Sequence, residues 1–370
     1  LFVGILAGSY PAFYLSAFKP VFVLKGKTQK GFGSKKSSLF RSVLVVLQFA
    51  ISLILILATF LIYLQINYML TKDLGFERDN IVVIRDCKAL NHSIRSFKNE
   101  LLKNTNIIAV TNSSSIPSMS GSYNGFQIKG RKSTQTYLVD ITWADFDFVE
   151  TFGLEVVKGR DFSQDLASDS NAVLINQQAV KQIEIEKPLQ TRFISPGYED
   201  SMTYLNVIGV IKDFNYLSLH TEIRPYMLAI RESENTGGFM SIRIKAGNRS
   251  ETLSYIEEKW SEFTDLVPFE YEFLNERFQR MYEEEQRTKK IITVFSLFAI
   301  FIACLGLLGL VSFSAIERTK EIGIRKTLGA STSHIIVMLV KETALLLLIA
   351  FVFALPLSYL IMDKWLETYT

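Results

Sequence analysis

Glu317-Arg-Thr-Lys-Glu-Ile-Gly-Ile-Arg-Lys-Thr-Leu-Gly-Ala-Ser331 is a short charged stretch between two long apolar runs, 291–316 before it and about 335–362 after it. Each run exceeds the roughly 20 helical residues that cross a bilayer. A stretch this short, caught between two spans, is confined to one membrane face. It has a helical grammar of its own. Glu321 and Arg325 stand four apart, in the order that stabilises a helix. Gly329 fits a helix stop, and Ser331 fits the cap of the next helix. Ile322 and Leu328 supply an apolar side, and Arg318, Lys320, Arg325 and Lys326 a basic one. A plain cytoplasmic turn needs the basic charge alone; it does not need a capped amphipathic helix.

The 370 residues are 48% hydrophobic and 21% charged, an average over two kinds of segment. Ser42–Leu64, Ile291–Ile316 and Ile335–Met362 are nearly free of charge, while 67–290 reads as an ordinary water-facing domain. The class is a membrane protein with a large extramembrane domain. A net charge of +3 names no partner, because Lys and Arg are spread along the chain. Cys87 falls in the water-facing part and Cys304 in mid-span, so they do not pair, and neither a disulfide framework nor a metal site follows. Leu1–Leu15 is apolar but too short to span and lacks a basic leader. It reads as the end of a preceding membrane helix.

Phe18–Arg41 carries Lys19, Lys25, Lys27, Lys30, Lys35, Lys36 and Arg41 and no acidic residue, which places 16–41 in the cytoplasm. The predicted order is therefore a helix end at 1–15, a basic cytoplasmic linker at 16–41, and a span at 42–66. A domain outside the membrane follows at 67–290, then a span at 291–316, a cytoplasmic loop at 317–333, a span at 334–362, and an outer loop beginning at 363–370. Arg287, Lys289 and Lys290 lie just outside the second span, but long domains translocate largely regardless of charge. The basic stretch has no interleaved aromatics and is broken by Gly26, Gly31 and Gly33, which argues against nucleic acid. Gly33-Ser-Lys-Lys-Ser-Ser38 lacks the spacing of a phosphate loop. No ATP-binding motif occurs, so any ATPase is another chain.

Within 67–290, strand-like and helix-like segments alternate. Ile81–Arg85 reads as strand, His92–Lys103 as helix and Ile107–Thr111 as strand. Near the end come strand Phe239–Ile244, helix Arg249–Phe263 and strand Phe269–Phe273. These two β-α-β units flank a middle section at about 115–230, with strands at Tyr137–Thr142, Asn171–Ile175 and Tyr204–Ile211 and a short helix at Ala144–Thr151. The predicted fold is α+β: a split β-α-β subdomain holding an inserted β-rich one. Catalytic constellations are missing. His92 and His220 lie in no ligand spacing. Asp145 and Asp147 are close enough in sequence for acid–base or cation chemistry, but they read better as the start of a helix, with Trp143, Phe146 and Phe148 in the core. Gly159 and Arg160, after a strand in Gly153–Phe162, read as structural.

The loop at 317–331 resembles the cytoplasmic loop of MacB/FtsX-like permeases of ABC transporters. Gly75-Phe-Glu-Arg-Asp-Asn-Ile-Val-Val83, Thr151-Phe-Gly with Lys158-Gly-Arg-Asp-Phe162, Val207-Ile-Gly-Val-Ile-Lys-Asp-Phe214 with Ile223-Arg-Pro225, and Phe269-Glu-Tyr-Glu-Phe273 are similar to the periplasmic domain of the Bacteroidetes-type members. Gly8-Ser-Tyr-Pro-Ala12, Phe18-Lys-Pro20 and Val23-Leu-Lys-Gly26 resemble the end of a first permease half. The resemblance implies three full transmembrane helices plus a partial N-terminal one, a periplasmic domain, and a further helix beyond 370. It implies an inner-membrane location and a loop that docks on a cytoplasmic ABC ATPase subunit, through Glu317, Arg318, Lys320, Glu321, Arg325, Lys326 and Leu328. It implies no cofactor.

Ser296, Ala299, Ala303 and Gly306 recur every three or four residues in the second span. Such a stripe lets another helix approach closely, expected here from a second permease half or a second copy. Leu274, Phe278, Met281 and Tyr282 fall at helical spacing, and no Gly or Pro intervenes before Ile291, which predicts one continuous stalk helix into the membrane. Lys341 lies near the cytoplasmic end of the third span, where it can snorkel beside Glu342, and Pro356 predicts a kink. Gln48 is the one strongly polar residue deep in the first span, so a solute pore is not indicated. With the resemblance, this favours mechanotransmission: a partner ATPase moves the loop, the spans tilt, and the outer domain drives a periplasmic substrate outward with an adaptor and an outer-membrane channel. The rival readings are an FtsX-like regulator of a cell-wall hydrolase and a membrane-anchored ligand receptor.

Overall fold

The computed structural model describes residues 5, 34–132, 135–196, 202–231 and 237–367. The predicted helix end at 1–15 and most of the basic linker fall outside them. Two compact units emerge, one drawn from Leu1–Thr59 and Ile292–Leu360, the other from Phe60–Ile291 and Ile361–Thr370.

The first unit is built from helices long and apolar enough to cross a membrane. Helix α1 is Ser34–Thr71, with its candidate span at Ser42–Thr71. Two further candidate spans of 35 residues each begin at Glu283 and at Thr332. All three outrun the predicted limits, because apolar periodicity marks the membrane core while the helices continue past it at both ends.

The second unit contains an eleven-stranded sheet and two cores. Strands β1 (Ile81–Ile84), β2 (Ile107–Ser113), β10 (Phe239–Ile244) and β11 (Tyr271–Phe273) lie in the order β11-β1-β10-β2. All these neighbours are antiparallel. Helices α2 (Ile94–Leu101) and α5 (Arg249–Phe263) cover this sheet. Phe97 of α2 meets Trp260 of α5 edge-on at 5.7 Å, and the Trp260 indole N–H donates to the Val267 carbonyl at 2.9 Å. The two predicted β-α-β units are present, but interleaved. β10 inserts between β1 and β2, and β1 between β10 and β11, as in a split β-α-β fold.

The remaining strands, β3 (Ser122–Ile128) to β9 (Tyr226–Ile230), form the inserted subdomain around Phe126, Ile141, Val173, Phe193 and Met227. Here β4 (Tyr137–Ala144) pairs with β9 in parallel, and β6 (Ala172–Asn176) pairs in parallel with β8 (Met202–Ile211). A single pair, Ser113 with Ala144, joins this sheet to the outer four strands. Asn112 reinforces the joint: its side-chain amide donates to the Gly237 and Phe239 carbonyls and accepts from the Gly237 N–H.

Two local predictions are corrected. The helix expected at Ala144–Thr151 is α3, Phe148–Phe152, because Ala144 still belongs to β4. Asp145 does not start a helix. Its carboxylate accepts from the Thr111 hydroxyl and the Asn112 N–H, and Lys98 of α2 pairs with both Asp145, at 2.6 Å, and Asp147. These are structural ties between subdomains. Of the aromatics around them, Phe148 is buried, while Trp143 and Phe146 are half-buried.

The expected continuous stalk is broken. Helix α6 is Leu274–Arg280 and helix α7 is Glu283–Glu317, with Met281 and Tyr282 between them. Tyr282 is buried and its hydroxyl accepts from the Leu219 N–H at 3.1 Å, holding the turn. Glu283, Glu284 and Glu285 then form an acidic first turn, which suits a new helix N-terminus.

Candidate functional site: the interspan helix and the polar seam

After Glu317 a single residue, Arg318, separates α7 from helix α8, Thr319–Thr327. The Arg325 guanidinium reaches the Glu321 carboxylate at 2.7 Å across one helical turn and also touches the Met338 sulfur on the following helix. The C-terminus closes as a Schellman motif, with the Ala330 N–H donating to the Arg325 carbonyl at 2.9 Å and the Gly329 N–H to the Lys326 carbonyl at 3.2 Å. Gly329 sits at φ +89°, a left-handed conformation that favours glycine. Ser331 caps helix α9 (Thr332–Leu366), its hydroxyl accepting from the His334 N–H at 3.3 Å. The C-terminal end of α8 is thus fixed by hydrogen bonds, and the next helix starts from its own cap.

No residue of α8 is buried. Ile324 and Leu328, one turn apart, are 62% and 81% exposed. Ile322, expected on the apolar side, is half-buried, and Ile324 takes its place. Glu317, Lys320, Glu321 and Lys326 are exposed, and Arg318 and Arg325 half-buried. The arrangement is a short, capped helix displaying an apolar pair beside fixed charges.

Between 294 and 306 of α7, Ser296, Ala299, Ala303 and Gly306 are the residues that are not exposed. Within this chain the helix facing them is α1. The Ser296 hydroxyl lies 2.7 Å from that of Thr59 and donates to the Leu55 carbonyl. The Ser52 hydroxyl reaches the Ala299 carbonyl at 3.2 Å. A Cβ on Gly306 would stand 2.8 Å from the Gln48 side-chain oxygen. Gln48 is therefore part of a helix–helix seam. The stripe was legible in sequence; its polar counterpart on α1 was not paired with it. A second small stripe was missed. Ala350, Ala354 and Ser358 of α9 are buried at four-residue spacing, and that same spacing could have found them. Lys341 is exposed, and α9 runs through Pro356.

In the outer unit, Gly159 and Arg160 serve the fold. The Arg160 guanidinium grips the fully buried Asp169 carboxylate in bidentate fashion, at 2.6 and 2.7 Å. Those bonds hold the Asp169 carboxyl below its ordinary value of 3.8, against the opposing effect of burial. Arg160→Met leaves that charge unpaired. The expected cost is on the order of 2–3 kcal/mol, at the low end for a broken buried pair because the guanidinium is half-exposed. The folded state binds this proton more weakly than the unfolded chain. The pair's stabilisation is therefore complete above pH 3.8 and drains as pH falls through the lower folded value. Urea melts should show the gap between wild type and variant closing below that pH.

Among the described residues, no group of three or more His, Cys, Asp or Glu side chains could hold a metal. His92 and His220 are not brought together, and His220 pairs with Glu285.

Comparison with known proteins accords with these elements. Residues 42–254, more than half of the chain, match the MacB-like periplasmic core domain, and 293–369 match the FtsX-like permease C-terminal domain. Similar solved structures include the periplasmic region of MacB from Actinobacillus actinomycetemcomitans, at 16% identity, 57% of this chain, 97% of that one and a TM-score of 0.40. A domain of a permease protein from Porphyromonas gingivalis aligns at 18% identity over 53% and 90% of the two chains, TM-score 0.38. The extracellular domain of the transporter YknZ from Gram-positive bacteria aligns at 14% over 49% and 94%, TM-score 0.33. No curated protein matches significantly. With its apolar helices, its two-part outer domain and both family matches, the chain belongs to the MacB/FtsX-like permeases of ABC transporters.

Proposed function

We propose that this permease transmits the ATP-driven motion of a cytoplasmic ABC ATPase to its outer domain, for export of a periplasmic substrate. The observation that carries the reading is α8: a helix closed at its C-terminus by a Schellman motif, with Ile324 and Leu328 62% and 81% exposed. A fixed helix between two spans is displaced as a body when pushed, and the spans move with it. The polar seam joins α1 to α7, so both respond together. A second permease half or second copy, a periplasmic adaptor and an outer-membrane channel complete the assembly. The chain resides in the inner membrane, with 67–290 in the periplasm and 317–333 in the cytoplasm.

Leu328→Glu tests the docking. Leu328 is 81% exposed, so the variant should insert and fold as wild type, within about 0.5 kcal/mol. Loss of an apolar anchor should lower ATPase co-purification about tenfold, the equivalent of roughly 1.4 kcal/mol. Undiminished co-purification and ATPase stimulation would exclude α8 as the docking element.

Topology is checked by single-cysteine labelling. Cys87 is buried and its thiol is pushed up to about 12 by burial, so it stays silent; Cys304→Ala removes the other thiol. In cells with a permeabilised outer membrane, an impermeant maleimide should label Ser170→Cys and spare Ser331→Cys. The opposite pattern would invert the arrangement.

A further inference from the structure

Besides the two family domains' shared frame, one segment of the inserted subdomain reaches back to both membrane helices where they emerge. On the α1 side, the Asn215 N–H donates to the Leu74 carbonyl at 2.7 Å, three residues beyond the helix end. Gly75, at φ +83°, lies so close that a Cβ there would stand 3.0 Å from the Asp213 carbonyl oxygen and 3.1 Å from the Phe214 Cβ. Phe76 meets Phe214 edge-on at 6.2 Å and Phe278 at 5.5 Å. On the α7 side, the Leu219 N–H donates to the Tyr282 hydroxyl at 3.1 Å. His220 Nε2 lies 2.9 Å from Glu285 Oε1, in the first turn of α7.

The same segment is rooted in the inserted core. Phe214 packs on Tyr216 and on Tyr226 of β9, at 5.5 and 5.1 Å, and Tyr216 packs on Tyr226 at 4.8 Å. The Tyr216 hydroxyl reaches the buried Asp140 of β4 at 3.1 Å. Phe214, Tyr216, Leu219, Tyr226 and Tyr282 are all buried, so these contacts are shielded from water and from screening.

We propose that Phe214–His220 is a strap that ties the inserted subdomain to the outer ends of α1 and α7, with Tyr282 and Glu285 as its fastening residues. This rests on the transmission reading above and names its route. The outer four strands receive helix motion through the chain, by way of β11 and α6. The inserted subdomain is joined to those strands at Ser113 and Ala144, by the Asn112 bonds, and by the ties of Lys98 and Thr111 to Asp145 and Asp147. The strap gives it a separate, direct grip on both helices. Motion of α7 therefore reaches the inserted subdomain without first passing through the outer sheet.

The test uses the full permease with its ATPase in lipid nanodiscs, in a Cys304→Ala background. Spin labels at Ser170→Cys and Glu284→Cys report the distance from the inserted subdomain to α7. Wild type should give one narrow distribution, unchanged by ATP with vanadate. Tyr282→Phe with Glu285→Ala removes both polar fastenings and keeps the ring packing; the distribution should broaden about twofold, as expected when a local tie is released. Bridging His220→Cys to Glu285→Cys with a short bifunctional thiol reagent should protect 214–225 from limited proteolysis relative to the same pair left unbridged. A merely misfolded variant would not be rescued in this way. If the double variant keeps the wild-type distribution, the strap is wrong. A separate label pair, Ser170→Cys with Ser331→Cys, judges the transmission reading. If it is insensitive to nucleotide, transmission fails, while the strap still stands or falls on the nucleotide-free distributions.

Discussion

Gly306→Leu should separate α1 from α7. A Cβ at Gly306 already falls 2.8 Å from the Gln48 oxygen and 3.2 Å from its nitrogen, and leucine adds three more carbons. Gln48 is on the opposing helix, so the backbones must part or Gln48 must leave the seam. Overpacking of this kind costs about 1–3 kcal/mol or more. In lipid there is no water to expel, and helix association depends on close contact and interhelical hydrogen bonds. The Ser296–Thr59 contact at 2.7 Å gives a direct readout. In a Cys304→Ala background, Thr59→Cys with Ser296→Cys should form a disulfide on mild oxidation. Adding Gly306→Leu should reduce its yield at least tenfold, the equivalent of about 1.4 kcal/mol. Leu308→Ala, at a position 67% exposed, should leave it unchanged. An undisturbed crosslink in Gly306→Leu would mean that the seam lies elsewhere.

Gly159→Ala should be among the most damaging single substitutions in the outer domain. The residue has φ +81°, where a Cβ is strained, and that Cβ would stand 2.2 Å from the Ile208 carbonyl oxygen and 2.8 Å from the Gly209 Cα. Both are backbone atoms of β8, in register with β5 (Val156–Gly159), and neither can rotate away. Left-handed strain alone costs about 1–3 kcal/mol, so the total should exceed about 3 kcal/mol, with β5 detaching from β8. The measurement is urea unfolding in detergent, followed by the fluorescence of Trp143 and Trp260. Gly130→Ala is the control: it also has positive φ, at +89°, but a Cβ there meets nothing within 4 Å, so only the strain remains. Equal losses at the two positions would exclude the close approach as the cause.

What could be read from the sequence follows the range of the forces involved. Phe239–Ile244 and Arg249–Phe263 match the observed elements residue for residue, because strand alternation and helical periodicity are local patterns. The Gly329 stop and Ser331 cap were equally local. Asp145 was misplaced because Lys98, Thr111 and Asn112, which hold its carboxylate, lie 33 to 47 residues away. The interleaving of β1, β10 and β11 is likewise non-local, since each β-α-β unit looks complete by itself. The turn at Met281–Tyr282 lacks Gly and Pro; it is held by the buried Tyr282 and its bond to Leu219, and its one local sign was the triple glutamate after it. The stripe on α7 was visible as spacing, but its partner required knowing that α1 folds back on it.

The crossing at Ser113 and Ala144 has a consequence for how such a domain could be recombined. The chain leaves the outer four strands after Ser113 and returns at Gly237, and Asn112 binds both sides of that crossing. The two cut points are therefore adjacent in space although more than a hundred residues apart in sequence. Closing a loop between neighbouring points costs little more when the loop is long than when it is short. A module entered and left at neighbouring points can be exchanged in one event without altering the membrane helices, provided its replacement keeps the residues that meet Lys98, Thr111 and Tyr282. A chimera that joins at these two points and keeps those contacts should fold.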